Sequence, residues 1–150
     1  MDELNLLIEK TLNPKEDSDK HTLPIFSLVL ASNAKIIIEL GSRGGNTLLP
    51  FVMGASKTNG LVYTVDIDNC IEQLKEYIPQ KYEAYYKFIH QDAIKFLEGW
   101  DKSKKADLIL IDDWHSYDQV KKELELLKDM ITEKSLIFLH DTMYQKTEPF

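Results

Sequence analysis

The chain has 150 residues, of which 43% are apolar, and it carries a formal net charge of −7. This length suits one domain with its own core, and the acidic balance disfavours binding to nucleic acid or to an anionic membrane, which normally needs a basic face. The single cysteine, Cys70, excludes an intramolecular disulfide. With no recognisable secretory signal, these features predict a cytoplasmic protein.

Two helices are predicted before the first strand, over residues 3–12 and 23–31. The polar, turn-prone stretch 13–20 separates them, and the apolar stretch 23–31 is too short to span a bilayer. Residues 1–32 are therefore expected to form an N-terminal helical extension of a domain that occupies residues 1–150.

The first predicted strand, at 36–40, leads directly into a glycine-rich turn. Its three consecutive isoleucines favour a buried parallel strand, and Gly41 and Gly45 allow a tight turn that lies close to a ligand. The acidic Glu39 precedes the turn, and the glycine spacing differs from G-x-G-x-x-G, which disfavours an NAD-type dinucleotide site. Taken alone, the motif fits a turn without a ligand better than a ligand site.

Four more strands follow, and an acidic residue ends or follows each of them. They are predicted at 61–66, from 87 to the residues before Asp92, at 106–112 and at 135–141. Helices are predicted between them at 46–53, 71–78, 93–97 and 117–130. This alternation predicts an α/β domain, a Rossmann-like three-layer sandwich with a mainly parallel sheet.

The acids at the strand ends are the candidate site residues. Asp66 also fits a simple strand cap, and Asp92 also fits the N-cap of the helix that follows it. Asp112 and Asp141 end strands that are expected to be neighbours, so their carboxylates should repel each other unless a cation lies between them. Mg²⁺ suits such oxygen ligands best, and His115 could then act as a general base on an acceptor hydroxyl.

The glycine turn and the acids that follow it resemble the S-adenosylmethionine-dependent methyltransferases of the Rossmann-like class. The resemblance implies that Glu39 holds the methionyl ammonium, that Asp66 binds the ribose hydroxyls and that Asp92 contacts the adenine amino group. It also implies that the cofactor lies against a further set of residues, namely Gly41, Ser42, Gly45 and Asp112.

The segment Asp-Asp-Trp-His-Ser-Tyr at 112–117 and the pair His140-Asp141 resemble the metal-dependent O-methyltransferases that act on sugars and natural products, and the cephalosporin hydroxylase-like proteins. Residues 19–24 add a likeness to phage- and microbe-encoded methyltransferase-like proteins. This resemblance implies Asp112 and Asp141 as metal ligands, with Asp112 and His115 as catalytic residues. His140 occupies a position where some relatives carry an acidic ligand.

The resemblance implies methyl transfer to an oxygen of a small-molecule or sugar-like acceptor. The alternative is a non-catalytic cofactor-binding or assembly module with the same fold. Methyltransferases of this class usually have seven strands, whereas the chain stops at Phe150, soon after the fifth. The final strands are therefore expected to be missing, and an exposed sheet edge predicts self-association.

Overall fold

A computed structural model of the chain describes residues 3–142, so the end of the predicted domain, residues 143–150, lies outside the described residues. These residues contain one five-stranded, all-parallel sheet with the order β3-β2-β1-β4-β5. The strands are β1 (Ile36–Leu40), β2 (Leu61–Asp66), β3 (Tyr86–His90), β4 (Leu108–Ile111) and β5 (Leu136–Leu139). The predicted parallel α/β sheet is thus confirmed.

Within residues 3–142, six α-helices accompany the sheet: α1 (Glu3–Leu12), α2 (Thr22–Ser32), α3 (Leu48–Thr58), α4 (Ile71–Tyr77), α5 (Ala93–Glu98) and α6 (Tyr117–Leu127). Short 3-10 helices cover Asp17–His21 and Gln80–Tyr85. The first of these lies in the stretch that the sequence predicts as a polar turn. No helix within residues 3–142 is both long and apolar enough to cross a membrane.

The helices form two layers, one on each face of the sheet. Ile37 and Leu108 point into a core that they share with α1, α2 and α3, whereas Ile38 and Ile109 point into a second core with α5 and α6. Neighbouring residues of a strand face opposite sides, so a central strand covered on both sides must be apolar throughout. This requirement explains the run of isoleucines in β1. The three-layer arrangement of helices and sheet is as predicted.

Helix α3 differs from the predicted helix at 46–53, because it begins at Leu48 and continues to Thr58. Its interior contains Gly54, a residue that usually weakens a helix. A Cβ at this position would lie 2.6 Å from Cγ1 of Val29 in α2. The glycine therefore allows α2 and α3 to pack closely, and that tertiary contact outweighs its low helix propensity.

Helix α6 also differs from its prediction, because it ends at Leu127 and not at Met130. The sequence pattern places its glutamates on the polar face, but Glu123 is 0% exposed. Gln119 donates a hydrogen bond of 2.6 Å to Oε1 of Glu123, and this contact holds the carboxyl group in the interior. The helix thus has a buried acidic residue within its apolar side.

The order of the strands in the sheet determines where the candidate site lies. Strand β1 pairs with β2 on one side and with β4 on the other. The strands after β1 therefore extend the sheet first in one direction, through β2 and β3, and then in the opposite direction, through β4 and β5, so the strand order reverses between β1 and β4. Open parallel sheets bind ligands outside the carboxyl ends of their strands at such a switch point. The glycine turn follows β1 at this position, and Asp112 directly follows β4.

Candidate functional site

The glycine turn after β1 has a backbone conformation that depends on its glycines. Gly41 has a φ of 96° and Gly45 a φ of 85°, both in the region that favours glycine. A side chain at Gly41 would also collide with the carbonyl group of Asp112. The turn therefore fits closely against the end of β4, and Gly41 lines the cavities on both sides of it.

Asp66 holds the turn in place from the end of β2. Its Oδ2 accepts hydrogen bonds of 2.9 Å from the backbone amides of Ser42 and Arg43, and its Oδ1 accepts one from the amide of Asp68. Arg43 adopts a φ of 40°, and this conformation aims its amide at the carboxylate. The predicted ribose-binding residue is thus also the residue that shapes the turn.

Glu39 lies beneath the turn and is 0% exposed. The hydroxyl groups of Thr47 and Thr64 donate hydrogen bonds of 2.6 and 2.5 Å to its two carboxylate oxygens. Burial raises the pKa of Glu39 to about 7, although these two hydroxyl donors lower it. In this conformation the carboxylate faces Thr47 and Thr64, so its predicted contact with a cofactor ammonium would need a local rearrangement.

A cavity of about 390 Å³, here called the Asp66 cavity, lies between the ends of β2, β3 and β4. Asp66, Asp92 and Trp114 line it, together with Asp113 and Gln119. Asp92 caps α5, because its side chain accepts a 2.9 Å hydrogen bond from the amide of Lys95, which confirms its predicted N-cap role. Trp114 is 71% exposed, so it borders the cavity and does not close the core.

A second cavity of about 550 Å³, here called the Asp112 cavity, lies on the other side of the turn. Asp112, His140 and Asp141 line it beside Gly41 and Ser42. The 3-10 helix Asp17–His21 supplies part of its opposite wall through Asp17 and Asp19. The two cavities therefore meet at the glycine turn, at the switch point of the sheet.

Asp112 and Asp141 come together as predicted, with a histidine between them. Nε2 of His115 lies 3.8 Å from Oδ1 of Asp112 and 3.4 Å from Oδ2 of Asp141. One ligand atom from each of these three residues lies within 4.8 Å of the others, a spacing that can hold a metal ion. Asp141 has a φ of 50°, in the left-handed region that few residues other than glycine adopt.

Burial raises the pKa of Asp112, and the nearby charge of Asp141 raises it further, whereas His140 and His115 lower it. The predicted repulsion between the two acids is therefore present, but burial is the larger cause. Two carboxylates and an imidazole are a donor set that suits a divalent cation. The carboxylates of Asp112 and Asp141 thus fit the predicted Mg²⁺, whereas the imidazole of His115 is a ligand type that transition ions prefer.

Three features of the site were not predicted from the sequence. Thr47 and Thr64 lie against Glu39, His140 lies 3.2 Å from Oδ1 of Asp112, and Asp113 lies close to Glu123. Thr64 alternates with apolar residues along β2, and this pattern was the available signal for a polar group beneath the turn. The contact of His140 with Asp112 crosses between two strands, and that of Asp113 with Glu123 passes through Gln119, so neither has a local signal in the sequence.

Comparisons with known proteins identify the family of the chain and solved structures with a similar fold. The model of a family described as a methyltransferase domain matches residues 38–142. A search of curated protein sequences gave no match. Solved structures with a similar fold include a candidate O-methyltransferase from Klebsiella pneumoniae, with 19% identity, a TM-score of 0.71 and coverage of 91% of this chain and 64% of that one.

Two further structures are similar to the same degree. A candidate caffeoyl-CoA O-methyltransferase from Staphylococcus aureus has 22% identity and a TM-score of 0.70, with 93% of this chain and 66% of that chain covered. An SAH-bound methyltransferase from Podospora anserina has 20% identity and a TM-score of 0.70, with coverage of 93% and 62%. The chain thus spans less than two thirds of the length of these relatives. The match over residues 38–142 shows that the chain belongs to the methyltransferase domain family.

Proposed function

We propose that the domain binds S-adenosylmethionine at the glycine turn and transfers its methyl group to an oxygen of a small-molecule or sugar-like acceptor, with the help of a divalent metal such as Mg²⁺. The observation that carries this proposal is the convergence of Asp112, His115 and Asp141 on one point beside the turn. Membership of the methyltransferase family and the SAH bound to a similar structure support the cofactor.

The Asp66 cavity is the proposed place of the adenosine group. Asp66 would accept hydrogen bonds from the ribose hydroxyls, Asp92 would accept one from the adenine amino group, and the exposed ring of Trp114 would cover the base. Gly41, Ser42 and Gly45 would bring the backbone close to the methionyl end. Glu39 would meet the ammonium after the rearrangement described above.

The Asp112 cavity is the proposed place of the acceptor. Asp112 and Asp141 would hold the metal, which lowers the pKa of a bound hydroxyl group. His115 would accept the proton of the acceptor hydroxyl at Nε2. The acceptor oxygen would then form a bond to the methyl carbon as the bond from that carbon to the sulfonium sulfur breaks, and S-adenosylhomocysteine would leave. The acidic lining and the net charge of −7 favour an acceptor that is neutral or cationic over a nucleic acid.

Calorimetry with S-adenosylmethionine, with and without Mg²⁺, tests the proposal. Asp66→Asn should weaken cofactor binding roughly tenfold or more because a charged acceptor is lost. The matched variant Asp101→Asn, in the loop before β4, should leave binding unchanged. Absence of binding to the wild-type chain would remove the proposal, and binding that no metal affects, without turnover on any acceptor, would favour the non-catalytic module.

The role of His115 needs a separate experiment, because Nε2 cannot be a metal ligand and a proton acceptor at once. If His115 is the base, His115→Gln should retain Mg²⁺ binding and lose methyl transfer by roughly a hundredfold or more. Asp141→Asn should lose both. Loss of Mg²⁺ binding in His115→Gln would instead identify the histidine as a third ligand.

A further inference from the structure

A second group of metal-ligating side chains lies beside the first. Asp17 and His21 belong to the 3-10 helix before α2, and His140 follows β5. One ligand atom from each of these three residues lies within 4.8 Å of the others. Nε2 of His140 is 3.8 Å from Oδ2 of Asp17, and the rings of His21 and His140 meet edge to face at 5.4 Å. Two segments that are distant in the sequence thus place three donor groups together.

The imidazole of His140 gives independent evidence that a ligand belongs here. Both of its nitrogens are shielded from solvent, and neither makes a hydrogen bond of good geometry with any residue in 3–142. A buried polar group without a hydrogen bond destabilises the folded state, so its presence needs an explanation. A metal ion at Nε2 would supply one.

The Nδ1 side of the His140 ring faces Asp112 and Asp141, which belong to the other group of metal-ligating residues. Nδ1 of His140 lies 3.2 Å from Oδ1 of Asp112 and 3.1 Å from Oδ1 of Asp141. Metal-bound histidines usually donate their other N–H to a carboxylate, which fixes the tautomer and the orientation of the ring. His140 has a carboxylate in place for that donation on the side away from Asp17.

We propose that Asp17, His21 and His140 form a second divalent-metal site, separate from the Asp112–His115–Asp141 group. Two imidazoles and one carboxylate suit a transition ion of the Zn²⁺ type better than Mg²⁺, which prefers oxygen ligands. Ligand atoms that each lie about 2.1 Å from one ion are at most about 4.2 Å apart, so a small closing movement completes the site. Oδ1 of Asp17 binds Lys20 at 2.5 Å, which leaves Oδ2 for the ion.

A metal at this site joins the 3-10 helix to the end of the sheet. It fixes the wall of the Asp112 cavity that Asp17 supplies, and it sets Nδ1–H of His140 toward Asp112 and Asp141. The proposal concerns metal affinity alone and does not depend on cofactor binding or on methyl transfer. Its failure is therefore distinguishable from failure of the proposed function.

Titration of the whole chain with Co²⁺, followed by the visible absorption of the ion and by calorimetry, tests the proposal without cofactor. The wild-type chain should bind two equivalents, one of them with the intense bands of a tetrahedral site with nitrogen ligands. His21→Gln and Asp17→Asn should each lose that equivalent and its bands. Zn²⁺ should displace Co²⁺ from this site, whereas Mg²⁺ in excess should not.

Matched variants separate the two sites. His90→Gln removes an exposed histidine on β3 whose Nε2 lies by the carbonyl of Ile67, and it should bind two equivalents like the wild type. Asp141→Asn should lose the other equivalent and keep the bands of the His21 site.

Zn²⁺ should raise the melting temperature of the wild type more than that of His21→Gln, because a ligand that binds only the folded state stabilises it. A wild type without the bands of a tetrahedral nitrogen-ligand site, or a His21→Gln variant with unchanged spectrum and stoichiometry, would overturn the proposal, whereas a single equivalent that His21→Gln loses and Asp141→Asn keeps would support it.

Discussion

Asp113 and Glu123 bring two carboxyl groups together beside the Asp66 cavity. Gln119 donates hydrogen bonds to both, and Oε2 of Glu123 and Oδ1 of Asp113 have no hydrogen-bond partner among the described residues. Burial raises the pKa of Glu123, and the adjacent Asp113 raises it further. The folded protein therefore retains a proton on Glu123 at pH values where the unfolded chain has released it.

This retained proton predicts that stability falls as the pH rises from the ordinary pKa of a glutamate toward the raised pKa of Glu123. In that window the folded state binds more protons than the unfolded state, so the slope of unfolding free energy against pH is negative. In Glu123→Gln the new side-chain amide is neutral at every pH of the window, and its oxygen still accepts the hydrogen bond from Gln119. It should be more stable than the wild type by about 1 kcal/mol or more above the window, and urea unfolding at about pH 5 and about pH 9 measures this.

Glu125→Gln, which changes an exposed residue of the same helix, is the control and should follow the wild-type pH dependence. If Glu123→Gln and the wild type lost stability in parallel over this pH range, Glu123 would not retain a proton in the folded protein.

Asp19 is a second buried acid, but its pKa is lowered, whereas that of Glu123 is raised. It is 3% exposed and accepts hydrogen bonds from Nζ of Lys10 at 2.7 Å, from the amides of Lys15 and Glu16, and from Asn46. Burial alone would raise the pKa of Asp19, but these donors hold it well below its usual range. One carboxylate thus joins α1, the 3-10 helix and the glycine turn.

Asp19→Asn should therefore lower the unfolding free energy by about 2–4 kcal/mol near neutral pH, because Lys10 loses its partner. The carboxylate contributes fully above the ordinary pKa of an aspartate, and its contribution falls as the pH drops toward the lower folded pKa. The difference between variant and wild type should shrink below about pH 3. Asp129→Asn, which breaks an exposed ion pair with Lys102, should change stability by less than about 1 kcal/mol, and equal losses in both variants would contradict the argument.

At the scale of elements, the sequence predicts what depends on local patterns. The apolar strands, the glycine turn and the cap at Asp92 follow from side-chain periodicity and backbone conformation, so they can be read without a structure. The length of α3 could not, because Gly54 is accommodated by close packing against Val29 of α2, and that contact forms only when the chain folds. The burial of Glu123 in α6 could not either, because the sequence pattern places it on the polar face. The same reason explains the candidate site: its acids were predictable from strand ends, and the neighbours of Glu39 and His140 were not.

The close packing of α2 against α3 makes Gly54 a test of this explanation. Alanine has the better helix propensity by about 1 kcal/mol, yet Gly54→Ala should lower the unfolding free energy by about 1–3 kcal/mol because the new methyl group collides with Val29. Urea unfolding measures the change. Adding Val29→Ala removes the collision, so the double variant should lose less than the sum of the two single changes.

Gly99→Ala supplies the control for Gly54→Ala. Its new Cβ would meet nothing nearer than the carbonyl oxygen of Lys95 at 3.4 Å, and its change in stability should be small. A stabilising effect of Gly54→Ala would show that helix propensity, and not the contact between the helices, decides at this position.

At the scale of the whole molecule, β5 forms an incompletely covered edge of the sheet. It pairs with β4 on one side, and among the described residues no strand pairs with the other side. Leu136 and Leu139 are 39% and 40% exposed. Apolar side chains of α2 and α6 line further cavities nearby, including Leu28 beside Phe138 and Leu124 on α6. An apolar edge of this kind favours pairing with another strand.

We therefore propose that the chain associates with itself through the β5 edge. Sedimentation velocity over a range of concentrations should show the wild type changing from a monomer to a larger species as the concentration rises. Leu136→Lys should shift this transition to roughly tenfold higher concentration or more, because a charge on an edge strand opposes pairing. Leu4→Lys makes the same exchange at a residue that is 40% exposed and adjacent to Glu3, which pairs with Lys81 just before β3 at the opposite edge of the sheet, and it should behave as the wild type does. A wild type that stays monomeric throughout, or two lysine variants that weaken association equally, would show that this edge does not mediate it.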